Sequence, residues 1–206
     1  MPIAYLDNGN RARVAILGCG VYAVANTAHI VFCAALAAQY GEIENTEPYE
    51  RAESILGVAL IAGVAFAGIA FLFWFRRAYA NAQALGLRGA YTPGWAVGGW
   101  FVPILNLVRP AQIAFEMWRH AGPTAVGSNA IVGLWWTAFL VDNIGSRIGT
   151  GLLASSTMGT QQSGLNVLIA SDLAAVLGLV LAMIIVQRLT KAHTTMQVED
   201  RAETFA

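Results

Sequence analysis

Four long apolar runs constrain this chain more than any other feature of its sequence. They predict helices at about 14–39, 55–84, 130–153 and 165–190. A helix needs about 20 apolar residues to cross the hydrocarbon core of a bilayer. Because unpaired backbone groups are costly in lipid, only helices and closed barrels span membranes. The sequence therefore predicts an all-α membrane protein with four transmembrane helices.

The composition is typical of a single integral-membrane domain over residues 1–206. Hydrophobic residues make up 57% of the chain and charged residues 12%, which is about half the charged fraction of soluble domains. The formal net charge is +0, so no basic surface indicates a nucleic-acid partner. We expect the lipid bilayer as the main partner, with another membrane protein or a second copy of the chain as alternatives.

The distribution of arginine predicts the orientation in the membrane. Basic residues precede the first run, fill the connection between the second and third runs, and follow the fourth. The first connection is acidic, and the third, at 154–164, is uncharged. Since cytoplasmic loops carry the excess of Lys and Arg, both termini are predicted to be cytoplasmic. The expected location is the bacterial cytoplasmic (inner) membrane, as a multi-pass protein.

A shorter apolar run at 95–107 follows the second span and contains Pro103. Thirteen residues of helix reach about 20 Å, which is too short for the roughly 30 Å hydrocarbon core. Proline also removes a backbone donor and bends a helix. The sequence favours a Pro-broken re-entrant segment. The alternative is one kinked span from Trp95 to Trp118, which would bury Arg109 against the charge bias.

An amphipathic pattern follows at 110–121, with Pro110 suited to its first turn. Polar side chains fall on one helical face and apolar ones on the other. This pattern is typical of a helix lying in the membrane interface. The polar tail at 194–206 is predicted to be flexible.

The block between the second and third runs carries a dense motif of Arg, Asn, Gly, Trp and Pro. Its residues are Arg77, Asn81, Gly94, Trp95, Ala96, Gly98, Trp100, Phe101, Pro103, Asn106, Leu107, Pro110 and Trp118. This block resembles a bacterial membrane family known as a domain of unknown function, DUF4328. The resemblance implies a multi-span membrane protein, and it implies no activity, cofactor or substrate.

Ionisable residues inside the spans are functional hypotheses by default. The candidate buried polar network comprises Asn26, His29, Asp142, Asn143, Arg147 and Asp172. Similar depths predict an ion pair between Arg147 and Asp172 and a contact between His29 and Asp142. Buried charges are costly unless they are paired. Such pairs serve either to hold helices together or as a proton relay, and the sequence leaves both interpretations open.

A second candidate site lies at the cytoplasmic end of the second span. Its residues are Arg77, Asn81, Asn106 and Arg109. Arginine forks suit phosphate, so these residues predict an anion or lipid-headgroup site. The alternative is that the arginines anchor the helix end and that Asn106 caps freed backbone. Trp95, Trp100 and Trp118 are predicted to form an interfacial aromatic belt.

The cysteines and histidines predict neither a disulfide nor a metal site. Cys19 and Cys33 fall about 21 Å apart on one predicted helix, so they cannot bridge each other and are expected to pack as small apolar residues. The histidines, at 29, 120 and 193, fall at different predicted depths. No known catalytic motif is present in the sequence.

These features predict a non-enzymatic protein with no cofactor, acting as a scaffold, partner subunit or lipid-interacting module. The alternative is a small transporter or channel component that uses the polar His, Asp and Arg interior. A dry interior with every charge paired would favour the first hypothesis. A continuous wet cavity reaching Asp142 would favour the second.

Overall fold

The structure, a computed structural model, describes residues 3–39 and 47–204, and the acidic first connection lies partly outside them. No strand occurs over this described part of the chain. The α-helices are α1 Gly9–Ala38, α2 Glu47–Ala84, α3 Trp95–Gly98, α4 Arg109–Ala121, α5 Pro123–Val126, α6 Ala130–Leu153 and α7 Met158–Thr204. A 3-10 turn at Leu105–Leu107 precedes α4.

Three helices, α1, α2 and α7, are long and apolar enough to cross a membrane. The fourth long helix, α6, has 24 residues, but the polar residues Asp142, Asn143 and Arg147 lower its hydropathy. Apolar side chains are exposed along these helices, for example Val24 at 71% and Ile61 at 70%. Large exposed apolar surfaces of this kind mark contact with lipid or with another protein. The chain is therefore an all-helical protein with membrane-type helices.

The long helices form a row in which α1 lies between α2 and α7, and α6 packs along the other side of α7. Glycines allow close approach within the row. A Cβ atom added to Gly18 on α1 would lie 2.9 Å from the Cα atom of Ala67 on α2. The two helices at the ends of the row, α2 and α6, make little contact with each other over the described residues. A gap therefore separates α2 from α6 over much of their length, and side chains bridge it at one end, where the ring centroids of Phe71 and Trp135 lie 5.9 Å apart.

The amphipathic helix α4 packs its apolar face against the rest of the protein. Ile113 and Met117 are fully buried, and Trp118 is 1% exposed. The Trp118 indole Nε1 donates a hydrogen bond of 3.0 Å to the carbonyl oxygen of Gly127. The prediction of an amphipathic helix is confirmed, its apolar face meets protein instead of lipid, and its placement at the membrane interface stays a prediction. An amphipathic pattern requires an apolar partner and does not specify whether that partner is lipid or protein.

The segment around Pro103 is broken, as predicted. The four-residue helix Trp95–Gly98 is followed by turns and by the 3-10 turn Leu105–Leu107. Ile104 adopts a φ of 68°, a backbone conformation that β-branched residues rarely accept. No continuous helix joins Trp95 to Trp118, because turns separate α3 from α4, and the alternative of one kinked span therefore has no helical support. The re-entrant placement of residues 95–107 stays a prediction.

The C-terminal tail is helical, which corrects the expectation of a flexible tail at 194–206. Helix α7 continues through Thr194 to Thr204, while residues 205–206 lie outside the described part of the chain. His193 is 2% exposed and anchors this part of the helix in the core. Once a helix is nucleated, each further residue adds a hydrogen bond at little cost. Polar composition alone therefore does not end the helix.

The close approach of α1 and α2 generates a stability prediction. Gly18→Leu forces its side chain against the backbone of α2, whereas nothing lies within 4 Å of a Cβ atom added to Gly20. Overpacking of this kind costs about 1–3 kcal/mol. We expect Gly18→Leu to lower the melting temperature in detergent and the matched control Gly20→Leu to leave it nearly unchanged. Equal melting temperatures for the two variants would contradict the α1–α2 packing.

Candidate functional site

A cavity of about 520 Å³ lies among the long helices. Its walls come from α1, α2, α6 and α7, and Trp100 adds a wall from the turn after α3. This volume lies within the range of about 300–1,000 Å³ that is typical of small-molecule sites. Because α2 and α6 both line the cavity and make little contact with each other over the described residues, it opens between them.

One face of α6 supplies both the apolar and the polar parts of the cavity wall. Trp135, Phe139, Asp142 and Ser146 all line it. Successive members of this set are four, three and four residues apart, which is the spacing that places side chains on one helical face. The sequence of α6 therefore orders the wall from aromatic to acidic to hydroxylic along the helix axis.

Aromatic rings form one end of the cavity. The Trp100 ring centroid lies 5.5 Å from that of Phe139, 5.9 Å from that of Phe71 and 6.4 Å from that of Trp135. The rings of Trp100 and Phe139 meet edge to face at 86°, an arrangement that aromatic pairs favour. The short turns around α3 thus complete a rigid aromatic wall that no long helix provides alone.

Asp142 lies beyond this aromatic end and has no hydrogen-bond or ion-pair partner among the described residues. The neighbouring amides do not provide one, because each bonds to its own helix. The Asn26 Nδ2 donates to the carbonyl oxygen of Tyr22 at 2.8 Å, and the Asn143 Nδ2 donates to that of Phe139 at 2.9 Å. A carboxylate that lacks a partner in an apolar setting attracts a proton or a cationic ligand.

His29 on α1 meets Asp172 on α7. The His29 Nδ1 and the Asp172 Oδ2 are 2.7 Å apart, and both side chains line the cavity. The Cys33 Sγ lies 3.5 Å from the His29 Nε2. The contact between His29 and Asp142 that the sequence predicts is therefore wrong, because His29 contacts Asp172 instead.

The predicted ion pair between Arg147 and Asp172 is also absent. Arg147 is exposed and makes no ion pair with any described residue. It lies five residues after Asp142, which places it about 140° around the helix from that residue. Similar depth along two helices does not bring side chains together when one of them points away from the neighbouring helix.

The four residues of the predicted anion site are engaged separately. Asn81 is fully buried and holds the N-terminal segment: its Oδ1 accepts from the Leu6 backbone N–H at 3.1 Å, and its Nδ2 donates to the Leu6 carbonyl at 2.7 Å. The Arg109 guanidinium lies over the Tyr91 ring, with its carbon 4.0 Å from the ring centroid. No hydrogen bond joins Asn81, Arg109, Arg77 or Asn106 to one another within the described chain.

The predicted aromatic belt is corrected for two of its three members. Trp118 is a core residue, and Trp100 belongs to the aromatic wall of the cavity. Trp95 is 40% exposed, which fits an interfacial position. Indole rings suit a protein core and a membrane interface equally, so their presence near a helix end does not separate the two.

Two parts of the site are not predicted from the sequence. Phe71 and Phe139 lie within long apolar runs, where nothing marks them as cavity residues. Cys33 is expected from the sequence to pack as a small apolar residue. Its spacing of four residues from His29 nevertheless places both side chains on one face of α1. That spacing is the one signal in the sequence for a cluster of His29 and Cys33.

Comparison with known proteins supports the family resemblance. The family model described as a domain of unknown function (DUF4328) matches residues 50–191. The match covers more than half of the chain, which therefore belongs to this family. No curated protein and no solved structure matches the chain. The aromatic wall, Asp142 and Asp172 lie within the matched region, whereas His29 and Cys33 precede it.

The contact between α1 and α7 generates a prediction for a double-mutant cycle. His29→Leu or Asp172→Leu alone leaves a buried polar partner unsatisfied, at a cost of about 1–3 kcal/mol. We expect the double variant to recover part of the loss, with a coupling energy of about 0.5–3 kcal/mol from unfolding in detergent. The matched cycle of Arg147→Leu with Asp172→Leu should be additive. Coupling in the cycle of Arg147 and Asp172, without coupling in the cycle of His29 and Asp172, would show that Asp172 pairs with Arg147 instead of with His29.

Proposed function

We propose that this member of the DUF4328 family binds a small amphipathic cation inside the membrane, as a small transporter or channel component. The observation that carries the proposal is the carboxylate of Asp142, which faces a cavity of about 520 Å³ and has no partner among the described residues. An intramembrane carboxylate without a counterion is costly to retain. A bound cation offsets that cost.

The charges around the cavity favour a cationic ligand over an anionic one. Asp142, Asp172 and Glu53 contribute to the lining, and no Arg or Lys belongs to its described lining residues. Asp172 is already paired with His29, and Glu53 is exposed on α2. Asp142 is therefore the carboxylate best placed to receive a positive charge in a sheltered part of the cavity.

The aromatic wall selects for a ligand with an apolar body. Trp135 precedes Asp142 by seven residues, or about 10 Å along α6. A ligand of that length contacts Trp100 and Trp135 while its charged group meets the carboxylate. Aromatic faces also attract cations directly, by about 0.5–2 kcal/mol depending on desolvation.

The gap between α2 and α6 provides a route to the cavity. Exposed apolar side chains lie on both helices, for example Ile61 on α2 and Val141 on α6. Lipid tails would contact these side chains if the helices span the bilayer. An amphipathic cation partitions into the membrane and then enters the cavity laterally, without crossing a polar entrance.

The alternative hypothesis is a scaffold, partner subunit or lipid-interacting module, acting on another membrane protein or on a second copy of the chain. A dry interior in which every charge is paired would favour that role. The cavity and its carboxylate without a partner favour ligand binding instead. In the proposed role the protein binds and moves its ligand without covalent chemistry, so it is not an enzyme.

The proposed membrane layout has four spans, with α6 as the fourth span beside α1, α2 and α7. Two of the residues that lower the hydropathy of α6, Asp142 and Asn143, face the cavity rather than lipid. The third, Arg147, is exposed and lies six residues before the end of α6, from where a long side chain extends toward the membrane surface. The segment at 95–107 is placed as a re-entrant element with both ends on the cytoplasmic side. From the excess of arginine we infer that both termini lie in the cytoplasm of a bacterial cell and that the protein lies in the inner membrane.

Binding of tetraphenylphosphonium, a lipophilic cation, tests the proposed site. The purified chain in nanodiscs should bind it, as measured by calorimetry and by quenching of tryptophan fluorescence. Asp142→Asn keeps the side-chain shape and removes the charge. We expect it to weaken binding at least tenfold, or by about 1.4 kcal/mol.

The matched control for this experiment is Glu199→Gln, which removes one negative charge from an exposed position near the end of α7. Its affinity should equal that of the unmodified chain. Equal affinities for Asp142→Asn and the unmodified chain would mean that the cation binds elsewhere, for example at the lipid surface.

Cysteine labelling tests the layout. A single added cysteine at Arg88, Thr160 or Asp200 is treated with a membrane-impermeant maleimide in intact spheroplasts and in inverted vesicles. The native cysteines are buried and should not react. We expect position 160 to react from outside and positions 88 and 200 only from the cytoplasmic side. Reaction of position 160 only in inverted vesicles would exclude four spans with cytoplasmic termini.

A further inference from the structure

A cluster of three different metal-ligating side chains lies where α1 meets α7. His29 and Cys33 sit one turn apart on α1, and Asp172 faces them from α7. One potential ligand atom from each residue lies within 4.8 Å of those from the other two. The residues are well shielded: the side chains of His29 and Asp172 are 14% and 9% exposed, and Cys33 is 2% exposed.

We propose that His29, Cys33 and Asp172 bind a divalent transition-metal ion, with Zn²⁺ as the best fit. This site goes beyond the proposed cation-binding function, which rests on Asp142. Imidazole nitrogen, thiolate sulfur and carboxylate oxygen are the three ligand types that Zn²⁺ takes in proteins. A thiolate in the set favours Zn²⁺ over Mg²⁺ and Ca²⁺, which prefer oxygen ligands.

The distances fit a tetrahedral ion after a small movement. Zn–N bonds of about 2.0–2.1 Å and Zn–S bonds of about 2.3 Å place the two ligand atoms about 3.5 Å apart. With the His29 Nδ1 as the ligand nitrogen, the Cys33 Sγ lies 3.9 Å from it, about 0.4 Å beyond that separation. The His29 Nδ1 and the Asp172 Oδ2 are closer, at 2.7 Å, because a proton joins them. A metal ion in place of that proton moves the two atoms apart by less than about 1 Å.

The exchange of protons for metal keeps the site neutral. A protonated imidazole beside an ionised carboxylate has no net charge, and a thiol adds none, so this set of ligands is neutral before metal binding. Binding of Zn²⁺ releases one imidazolium proton and the thiol proton to solvent, and it forms one bond each to nitrogen, oxygen and sulfur. Two positive charges leave and two arrive. A neutral site avoids the large cost of an isolated charge in a low-dielectric interior.

The cluster supplies three ligands, and the cavity beside it has room for a fourth. His29 and Asp172 belong to the cavity wall, and no fourth metal-ligating side chain joins the cluster among the described residues. Structural zinc sites have four protein ligands, whereas sites with three keep a position for water or another ligand. The arrangement therefore points to an ion that exchanges with, or binds, a molecule in the cavity.

Cobalt and zinc titrations of the purified chain, with any affinity tag removed, test the site. Co²⁺ should bind with a stoichiometry of one per chain and give the absorption of thiolate-to-metal charge transfer, which Zn²⁺ then displaces. Titrations in buffers of different ionisation enthalpy should report the release of two protons. Cys19→Ala is the matched control, because it removes the other buried cysteine of α1. It should leave both signals unchanged.

Removal of one ligand should weaken binding. We expect Cys33→Ala to abolish the charge-transfer absorption and to lower Zn²⁺ affinity at least tenfold, and Asp172→Asn to lower the affinity similarly. Absence of the absorption in both the unmodified chain and Cys19→Ala would overturn the proposal and leave a hydrogen-bonded triad without metal. This measurement does not use the variants Cys33→Ala and Asp172→Asn, so it tests metal binding even if those variants misfold. Unchanged affinity in folded Cys33→Ala would overturn it as well.

The experiments test the proposed metal site and the proposed cation site separately. Cys33→Ala removes the metal site and leaves Asp142 in place, so it should still bind tetraphenylphosphonium. Asp142→Asn should weaken binding of that cation and still give the cobalt absorption. If the unmodified chain binds tetraphenylphosphonium but does not bind Co²⁺ or Zn²⁺, only the proposal of the metal site is overturned.

Discussion

The cost of placing polar side chains on apolar helices governs this structure. Each long helix exposes apolar residues outward, while Asn26, His29, Asp142 and Asp172 face the interior, where they find partners or a cavity. The contact between His29 and Asp172 satisfies two such groups and joins α1 to α7. Those two helices form the centre of the row, so the positions of α2 and α6 depend on their packing against this central pair.

The cavity follows from that row. If α2 and α6 packed together, the four helices would close into a bundle around a filled core. Their separation leaves space between them, and the turns around α3 close only one end of it with Trp100. The proline-broken segment thus has a structural role that a continuous helix does not offer, since its short turns bring an indole ring into the aromatic wall.

The sequence predicts the helices well because apolar runs determine where a helix is needed. Helix α6 has the predicted bounds, and the break near Pro103 is confirmed. The partners of individual side chains are predicted poorly. Depth along a helix is one coordinate, and a contact also requires the angle around the helix, which changes by about 100° per residue. Arg147 satisfies the first condition for Asp172 and fails the second.

The same limit explains why α4 and the candidate site were only partly predictable. The apolar face of α4 is evident from its sequence, but burial of Ile113 and Met117 against protein depends on distant helices. Cys33 carries a local signal through its spacing from His29, while the third member of the cluster comes from a helix more than 130 residues away. Local patterns therefore predict faces, and tertiary packing decides what each face meets.

Charge balance separates the roles of the two cavity aspartates. Asp172 is paired with His29, and in the proposed metal site the ion balances its charge. Asp142 has no such partner among the described residues. The field that a ligand meets in the sheltered part of the cavity therefore comes mainly from one carboxylate. A single fixed negative charge beside an aromatic wall favours ligands with one positive charge, because a second charge would enter the low-dielectric interior uncompensated.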